Sequence, residues 1–365
     1  MQPEIDMKRF RVVQYATGMA GKEAIRAMAN HPELELVGCL VFAKDKVGRD
    51  AGEIAGIAPL GVVCTDRLED IVAMDADAVS FMGLWPDLDA ICPLLESGKN
   101  VVLTCGLLFP KFLGEQVVER LQAACKKGRS ALFGGGVSPG YVQCVAPIGL
   151  STLARRIDRI TMEELVDVSD YNSPDLMVNM LGMGRSEAAV RTNPHAQFDT
   201  MVPTFFNQTF ALMADALQLP VERYETRYDY GLSRNGKQVS FGYLPKGTIA
   251  AVRVTLIGWA YGREALLVKL NWIADFDVTG DWIARDQLSN AQMWRITLDG
   301  DPDMRLTFEQ PVKEHAAGAQ TTAHGVIATV MNVLHAIPVL DGRVGIQTYN
   351  TLPMMAGRYA LRAAD

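Results

Sequence analysis

Apolar and polar positions follow two different rhythms along this chain of 365 residues. In the N-terminal part, short β-branched runs are each followed by a stretch with apolar residues at helical spacing, which predicts alternating strands and helices. Such alternation is typical of a parallel, doubly wound α/β sheet. The predicted strands are 11–16, 34–42, 62–64, 76–82, 101–104 and 131–133, and the predicted helices are 21–29, 66–74, 87–96 and 111–127.

Beyond residue 149 the rhythm changes to long strand-like runs with few helices between them. The runs at 157–168, 248–259 and 266–273 predict a mixed or antiparallel sheet, and therefore an α+β domain. We expect one domain over 1–149 and a second over 150–365. Within the second, the last helix, 322–336, and the residues after it are candidates to pack back on the first domain.

A glycine-bearing turn follows the first predicted strand. Its sequence is Ala-x-Gly-x-x-Gly, so Ala16 stands where a dinucleotide fingerprint has its first glycine. Gly18 would let the backbone approach a pyrophosphate, and Gly21 would let the helix pack on the strand. The position of the motif within a βαβ pattern favours a nucleotide site over a purely structural turn. The predicted contacts are Thr17, Gly18, Met19, Ala20 and Gly21.

The second predicted strand ends without the carboxylate that an NAD enzyme uses to bind the ribose hydroxyl groups. Lys44 comes directly after that strand, and Lys46 and Arg49 are near enough in sequence to meet a 2′-phosphate. The sequence therefore predicts NADP in preference to NAD. Solvated loop charges are the alternative interpretation.

Composition narrows the function classes. The chain has 35 Lys and Arg against 42 Asp and Glu, a net charge of −7, which argues against nucleic acid or a membrane surface as partner. The six cysteines form no CxxC pair and the five histidines have no zinc spacing, so we expect reduced thiols and no metal. The first residues lack the apolar core of a signal peptide, which predicts a cytoplasmic protein.

A second motif suggests a hydrolase. Gly136, Ser138 and Gly140 match the Gly-x-Ser-x-Gly nucleophile elbow. Pro139 follows the serine, however, and a proline has no N–H to donate to an oxyanion. The residues favour a turn that leaves the sheet over a serine hydrolase.

Several segments, in their order along the chain, resemble the dihydrodipicolinate reductase-like oxidoreductases, on the branch of 2,4-diaminopentanoate dehydrogenase and the native amine dehydrogenases. These segments are 13–21, 46–53, 98–102, 134–141, 156–171, 250–258 and 332–338, followed by Leu352-Pro353. The resemblance implies a Rossmann domain, a C-terminal α+β domain for substrate and dimerisation that closes over the nicotinamide, and a homodimer.

Two departures from the family pattern limit what can be transferred. Dihydrodipicolinate reductase proper resembles E-x-H-H-x-x-K in the first strand of its second domain, whereas residues 163–167 are Glu-Glu-Leu-Val-Asp. In the amine dehydrogenases the loop after the fifth strand resembles Thr-Cys-Glu, and its glutamate helps to bind ammonia. Here the loop is Thr104-Cys105-Gly106, so either another group replaces the glutamate or the substrate is not an amine.

The missing acid is sought on the first strand of the second domain. Thr161, Glu163, Asp167, Ser169 and Tyr171 share one face, which the resemblance turns toward the cofactor cleft. Glu163 is the first candidate for the proton-transfer group and Tyr171 the second, while a solvent-facing polar side is the alternative. The further candidates are Lys44, Gly83, Thr104, Cys105 and Gly106 at the cofactor, and Tyr141, Cys144, Asp167 and His195 at the substrate.

The predicted reaction is hydride transfer between NADP, with NAD possible, and a small apolar ketone or aldehyde. It runs with ammonia through an iminium, or in reverse as oxidation of an amine. A carbonyl or imine reductase that does not use ammonia remains an alternative. So does a non-catalytic NADP-binding protein, because Gly106 carries no acid–base group.

Overall fold

The computed structural model describes residues 8–192, 196–288, 292–310 and 322–360. Contacts divide the chain into two units: one joins Met1–Tyr141 with Val326–Asp365, and the other is Val142–Gly325. The prediction set a boundary near residue 149. Residues 142–149 belong with the second unit, where the Cys144 Sγ lies 4.0 Å from the Thr209 carbonyl oxygen.

The elements are given in chain order. The strands are β1 (Phe10–Tyr15), β2 (Leu34–Leu40), β3 (Cys64–Thr65), β4 (Ala78–Phe81), β5 (Asn100–Leu103), β6 (Ala131–Gly134), β7 (Arg156–Asp167), β8 (Arg223–Leu232), β9 (Lys237–Val239), β10 (Gly242–Leu244), β11 (Ile249–Ala260), β12 (Arg263–Ile273), β13 (Gln292–Asp301), β14 (Met304–Glu309) and β15 (Gly345–Gln347). The helices are α1 (Met19–Ala29), α2 (Ala51–Ala55), α3 (Leu68–Ala73), α4 (Leu88–Glu96), α5 (Glu115–Gly128), α6 (Ala146–Ser151), α7 (Glu187–Thr192), α8 (Ala196–Leu217), α9 (Thr322–Leu334) and α10 (Ile337–Leu340).

The first unit is built on a parallel sheet. Its seven described strands lie in the order β15-β6-β5-β4-β1-β2-β3. Val12 and Val13 point to opposite faces of β1, and both are fully buried, in two different hydrophobic clusters. Helices therefore cover both faces, as the near-continuous apolar runs predict for a parallel sheet. The doubly wound fold class is confirmed.

The C-terminal segment belongs to the first unit. Residues of α9 and α10, among them Val333 and Ile337, are buried in the cluster that contains Phe10 and Val12. β15 extends the sheet by pairing in parallel with β6. Residues 326–360 thus fold with residues 8–141 rather than with the strands that precede them in sequence.

The second unit is built on a mixed sheet. Its six described strands lie in the order β14-β13-β7-β12-β11-β8, and only β7 and β12 are parallel neighbours. α8 covers one face, where a Cβ added at Gly258 of β11 would lie 3.4 Å from the Phe210 ring. The predicted mixed or antiparallel α+β architecture is confirmed.

Two local details differ from the predicted elements. The predicted helix 111–127 is divided by Gly114, at φ +103°, into a 3-10 turn, Pro110–Leu113, and α5. The sequence also gave no sign of α2, which is too short to show a helical period and is capped by the side chain of Asp50. In the described part of the chain, no helix is both long and apolar enough to span a bilayer.

Candidate active site

The turn between β1 and α1 has two glycines with different surroundings. A Cβ at Gly21 would lie 2.1 Å from the Ala16 carbonyl oxygen, so only glycine allows α1 to lie this close to the end of β1. A Cβ at Gly18 would meet no atom within 4 Å. Gly18, the N-cap residue of α1, therefore lies beside open space. The packing expected at Gly21 is observed, whereas the approach of a pyrophosphate to Gly18 stays a prediction.

The start of α1 is suited to an anion. Gly18 is the N-cap and has no side chain to accept the first helical N–H groups, and the first turn has no acidic residue. Uncapped N–H groups and the positive end of the helix dipole attract phosphate. The residues at this turn therefore fit the pyrophosphate of a dinucleotide.

Gln14 is a site residue that the sequence analysis missed. Its side chain is fully buried in β1, and its Nε2 donates hydrogen bonds to the carbonyl oxygens of Tyr15 (3.0 Å) and Ala16 (2.9 Å). These bonds fix the backbone at the start of the turn between β1 and α1. The available signal was a polar amide inside an otherwise apolar strand, two residues before the fingerprint alanine.

The predicted cations differ in what they contact. Lys46 Nζ donates to the carbonyl oxygen (3.3 Å) and Oγ1 (3.2 Å) of the buried Thr17, directly before Gly18. Lys44 instead forms a hydrogen-bonded ion pair with Asp66, and its side chain is 86% exposed. Of these two lysines, Lys46 is the one that reaches the glycine turn.

Further cofactor candidates gather at the same edge of the sheet, at the carboxyl ends of the parallel strands. Thr104 Oγ1 lies 3.5 Å from Met82 Sδ, directly before Gly83. The Gly135 N–H donates to the Leu103 carbonyl oxygen at 3.0 Å, so the segment after β6 adjoins the segment after β5. Ligands of parallel α/β sheets bind at this edge.

Large apolar side chains are exposed along this edge. One is at the start of α1, one follows β2 and two follow β4. They are Met19 (48% exposed), Phe42 (65%), Leu84 (79%) and Trp85 (39%). Exposed apolar side chains grouped in this way are typical of a surface that a ligand covers.

The loop after β5 carries no acid and no reactive thiol. Gly106 has a left-handed backbone, at φ +62°. Burial raises the pKa of Cys105 to about 12, so its thiol keeps its proton near neutral pH. Neither residue supplies the chemistry of the family glutamate.

In the second unit, Glu163 is held between two cations. β7 lies between β12 and β13, and Lys269 and Arg295 are the register partners of Glu163. Its carboxylate oxygens lie 3.7 Å from Lys269 Nζ and 3.8 Å from Arg295 Nη1. Its acid–base role stays a prediction, and the structure adds an ion-pair role to it.

Tyr171 lies four residues after the end of β7 and is half-buried. Burial raises the pKa of its hydroxyl above the usual value near 10, so the phenol is protonated throughout the neutral range. A protonated hydroxyl of this kind can donate a proton to a developing alkoxide.

The remaining substrate candidates have varied surroundings. Asp167 accepts hydrogen bonds from the N–H (3.0 Å) and Oγ (2.6 Å) of Ser169 and closes the turn after β7. Cys144 is fully buried, which raises the pKa of its thiol, whereas Tyr141 is 44% exposed. His195 lies outside the described residues.

A second missed residue is Glu164, which points to the opposite face of β7 from Glu163. It is buried, and its two carboxylate oxygens accept hydrogen bonds from the indole N–H groups of Trp272 (3.1 Å) and Trp294 (2.9 Å). The candidates predicted from the sequence of this strand all lie on the other face, with Glu163. The parity of Glu164 with Met162 was the overlooked signal. Within the described ranges, no three His, Cys, Asp or Glu side chains are grouped for a metal ion.

Residues 12–83 match the family "Dihydrodipicolinate reductase, N-terminus". The chain is 29% identical to an amine dehydrogenase of Streptomyces virginiae, over 86% of this chain and 89% of that protein. The solved structure of amine dehydrogenase from Mycobacterium smegmatis superposes with a TM-score of 0.72 at 18% identity, covering 98% of each chain. GenD2 from gentamicin A biosynthesis, solved in complex with NAD, superposes with a TM-score of 0.50 at 13% identity, over 94% of this chain and 90% of that one.

These similarities bear on two predictions. The sequence similarity extends over most of the chain and confirms the resemblance and the predicted class, an amine dehydrogenase-like oxidoreductase. The two solved structures support the fold, which is the fold of dehydrogenases with a Rossmann-type sheet.

Proposed function

We propose that this chain is an NAD(P)H-dependent oxidoreductase that reduces a small apolar ketone or aldehyde with ammonia, or oxidises the corresponding amine. One observation carries the proposal: the glycine turn between β1 and α1, where Gly21 permits close packing and Gly18 adjoins open space. The similarity to amine dehydrogenase over 86% of the chain supports the reaction class.

The turn would bind the cofactor through its backbone. The N–H groups at the start of α1 would donate to the pyrophosphate, with Thr17 held in position by Lys46. The loop Thr104–Gly106 would adjoin the nicotinamide, which when bound supplies the hydride. The exposed Phe42 and Trp85 would flank the adenosine.

We propose that NADP is preferred to NAD and that Lys46 contributes more to this preference than Lys44. Lys46→Ala is expected to raise KM for NADPH by about 10- to 100-fold, since a hydrogen bond to a charged group contributes ~1.5–3 kcal/mol. KM for NADH should rise less than KM for NADPH, because both cofactors share the turn that Lys46 holds through Thr17 but only NADPH has the 2′-phosphate. Lys44→Ala, which removes the ion pair with Asp66, is the matched control. Equal KM values for both cofactors in the unaltered chain would refute the NADP preference.

Glu163 remains the first candidate for the acid–base group and Tyr171 the second; for Tyr171 the proposed role is proton donor to the substrate oxygen. Tyr171→Phe removes only the hydroxyl, so kcat should fall by about 10²- to 10⁴-fold while KM for the cofactor stays unchanged. Tyr243→Phe, at an exposed tyrosine of β10, is the control. A Tyr171→Phe chain with full kcat would remove this residue from the mechanism.

The use of ammonia is tested by following NADPH oxidation with a panel of small apolar ketones, with and without ammonium. Turnover that requires ammonium supports the amine dehydrogenase reaction. Turnover without ammonium supports the second candidate, a carbonyl or imine reductase, which Gly106 favours because it cannot replace the family glutamate. Saturable NADPH binding without turnover on any substrate, in either direction, would instead support a non-catalytic NADP-binding protein.

We also keep a homodimer as the proposed assembly and the cytoplasm as the proposed compartment. Both come from the sequence: the dimer from the family resemblance, and the compartment from cysteines without a disulfide pattern. Size-exclusion chromatography with light scattering tests the dimer directly.

A further inference from the structure

Two cysteines are paired across neighbouring strands in the first unit. Cys39 of β2 and Cys64 of β3 are register partners in a parallel pair, and the two thiols are close enough that each shifts the pKa of the other. Adjacent strands lie ~4.8 Å apart, which falls within the Cα separation of about 4.4–6.8 Å that a disulfide spans. The strand pairing therefore places the two cysteines at a backbone separation that a disulfide can span.

β3 is a short strand at the edge of the sheet. It has two residues, and β2 is its only neighbouring strand in the sheet, while the loop before it bonds to its other edge. Both thiols are buried, but Val63, directly before Cys64, is 66% exposed. Because β3 is short, few hydrogen bonds join it to β2, and a transient separation of the two strands would admit a small oxidant to the pair.

The backbone of Cys64 also holds the loop that carries the cations near the glycine turn. The Gly48 N–H donates to the Cys64 carbonyl oxygen, and the Cys64 N–H donates to the Arg49 carbonyl oxygen, both at 2.9 Å. In the same loop, Lys46 reaches Thr17. A backbone shift at Cys64 would therefore move this loop and, with it, the Lys46 side chain that contacts Thr17.

The surroundings make the two thiols unequal. The interaction with Cys39 lowers the pKa of Cys64; burial and the Asp50 carboxylate oppose this effect, and the positive charges of Arg49 and Lys46 add to it. The same interaction and burial raise the pKa of Cys39. Burial also raises the pKa of Cys92, Cys105 and Cys125, so these thiols are less reactive.

We propose that Cys39 and Cys64 form a reversible disulfide on exposure to a peroxide, and that this bond weakens cofactor binding through the loop 44–50. The Cys64 sulfur attacks hydrogen peroxide, the O–O bond breaks, and a sulfenic acid and one water form. The Cys39 sulfur then attacks that sulfur, the S–O bond breaks, and a second water leaves. Overall two thiols lose two electrons and two protons, and one hydrogen peroxide becomes two waters.

The first test treats the full chain with hydrogen peroxide, alkylates the remaining thiols and identifies the peptides by mass spectrometry. The expected product is one peptide pair linked through Cys39 and Cys64, which dithiothreitol restores to free thiols. Cys39→Ala should leave a sulfenic acid on Cys64 that dimedone traps, and Cys125→Ala should leave the disulfide unaffected. Oxidation of other cysteines before this pair, or no linked peptide, overturns the disulfide.

The second test measures NADPH affinity by fluorescence titration of the reduced and oxidised chain. We expect Kd to rise by about tenfold on oxidation, the effect of one lost charged hydrogen bond, and to return on reduction. This part depends on the proposed function, whereas the disulfide test does not. A linked peptide with unchanged Kd overturns the link to the cofactor, and absence of NADPH binding in the reduced chain refutes the proposed function instead.

Discussion

Ala16 has a backbone conformation that glycine usually supplies. Its φ is +72°, in the left-handed region, where a Cβ costs about 1–2 kcal/mol. The strain is balanced by fixed hydrogen bonds: the Ala16 N–H donates to the Leu40 carbonyl oxygen at 3.0 Å, and the Ala16 carbonyl oxygen accepts from Gln14. The turn thus keeps its geometry with an alanine in place of the first glycine, because hydrogen bonds from Gln14 and to Leu40 hold Ala16 in the left-handed conformation.

Ala16→Gly is expected to stabilise the chain. Removing the Cβ relieves the left-handed strain, and the greater freedom of glycine in the unfolded chain offsets part of the gain, so we expect a net increase of about 1 kcal/mol. The free energy of unfolding in urea measures it. Ala24→Gly, at a buried helical position of α1, is the matched control and should lose about 1 kcal/mol or more. A less stable Ala16→Gly chain would contradict the strain.

At the scale of elements, the segment after β6 is held by residues from the C-terminal part of the chain. The Gly136 N–H donates to Asn332 Oδ1 of α9 at 3.1 Å, and the Tyr349 hydroxyl donates to the same oxygen. A Cβ at Gly135 would lie 2.8 Å from the Tyr349 hydroxyl. Two segments that carry the family resemblance, 134–141 and 332–338, are therefore in contact, which explains why they occur together.

Tyr349→Phe removes one hydroxyl from this contact. The Asn332 Oδ1 and the Gly136 carbonyl oxygen would each lose one hydrogen-bond donor. The free energy of unfolding should therefore fall by about 1–3 kcal/mol. Chemical denaturation measures the change. Tyr261→Phe, at a tyrosine that is 67% exposed, serves as control and should leave stability unchanged. Equal stability of the two variants would show that the hydroxyl contributes nothing.

Asp50 organises the loop before β3. Its carboxylate accepts hydrogen bonds from five backbone N–H groups, those of Gly52, Glu53, Leu60, Gly61 and Val62. These bonds stabilise the charged form and lower the pKa of Asp50 below its usual value. The conformation of the segment 46–53, part of the family resemblance, thus depends on one carboxylate.

Substitutions at Asp50 are expected to act in a graded way that depends on pH. Asp50→Asn keeps one acceptor oxygen and Asp50→Ala keeps none, so the urea midpoint should fall from wild type to Asn to Ala. Because the folded pKa is depressed, the contribution is fully present above the unfolded pKa, near 4, and is lost as pH falls through the folded pKa. The gap between wild type and Asp50→Asn should therefore narrow below about pH 4. A gap that is constant with pH would contradict a charge effect.

At the scale of the whole chain, two histidines, the buried His31 and the half-buried His335, link the residues before β2 to the C-terminal segment of the first unit. The His335 ring lies 5.7 Å from the His31 ring, and Arg358 pairs with Glu33 at 3.1 Å. Burial and the neighbouring His31 lower the pKa of His335, while Glu33 acts in the opposite direction. The neutral imidazole is therefore the form that the folded chain accommodates.

This shift predicts a loss of stability in acid. The unfolded chain binds the proton first, near its ordinary pKa of about 6.5, so the free energy of unfolding decreases as pH falls below that value and stops decreasing below the folded pKa. His335→Gln should flatten this part of the curve. The difference between the two chains at pH 8, where both side chains are neutral, is the internal control. Parallel curves from pH 8 to pH 5 would exclude His335 as the cause.

The sequence alone determined the doubly wound sheet and the position of the glycine turn. Both depend on local periodicity and on residues adjacent in the chain, which the hydrophobic pattern records directly. The need for glycine at position 21, where α1 packs on the end of β1, could be predicted for the same reason. Gln14 and Glu164 could not, because each is explained only by partners that the fold brings to it: the turn carbonyls for Gln14, and two indoles from β12 and β13 for Glu164.

Only the tertiary structure decided which of the predicted charges meet. Lys44 and Lys46 are equivalent in a pattern of cations after a strand, yet one contacts Asp66 and the other Thr17. The sequence pattern shows only that Glu163 is one of the alternating polar positions of its strand. Its ion-pair partners Lys269 and Arg295 are more than 100 residues away in the chain. The register between strands brings such residues together, and register follows from the packing of the whole sheet rather than from any single segment.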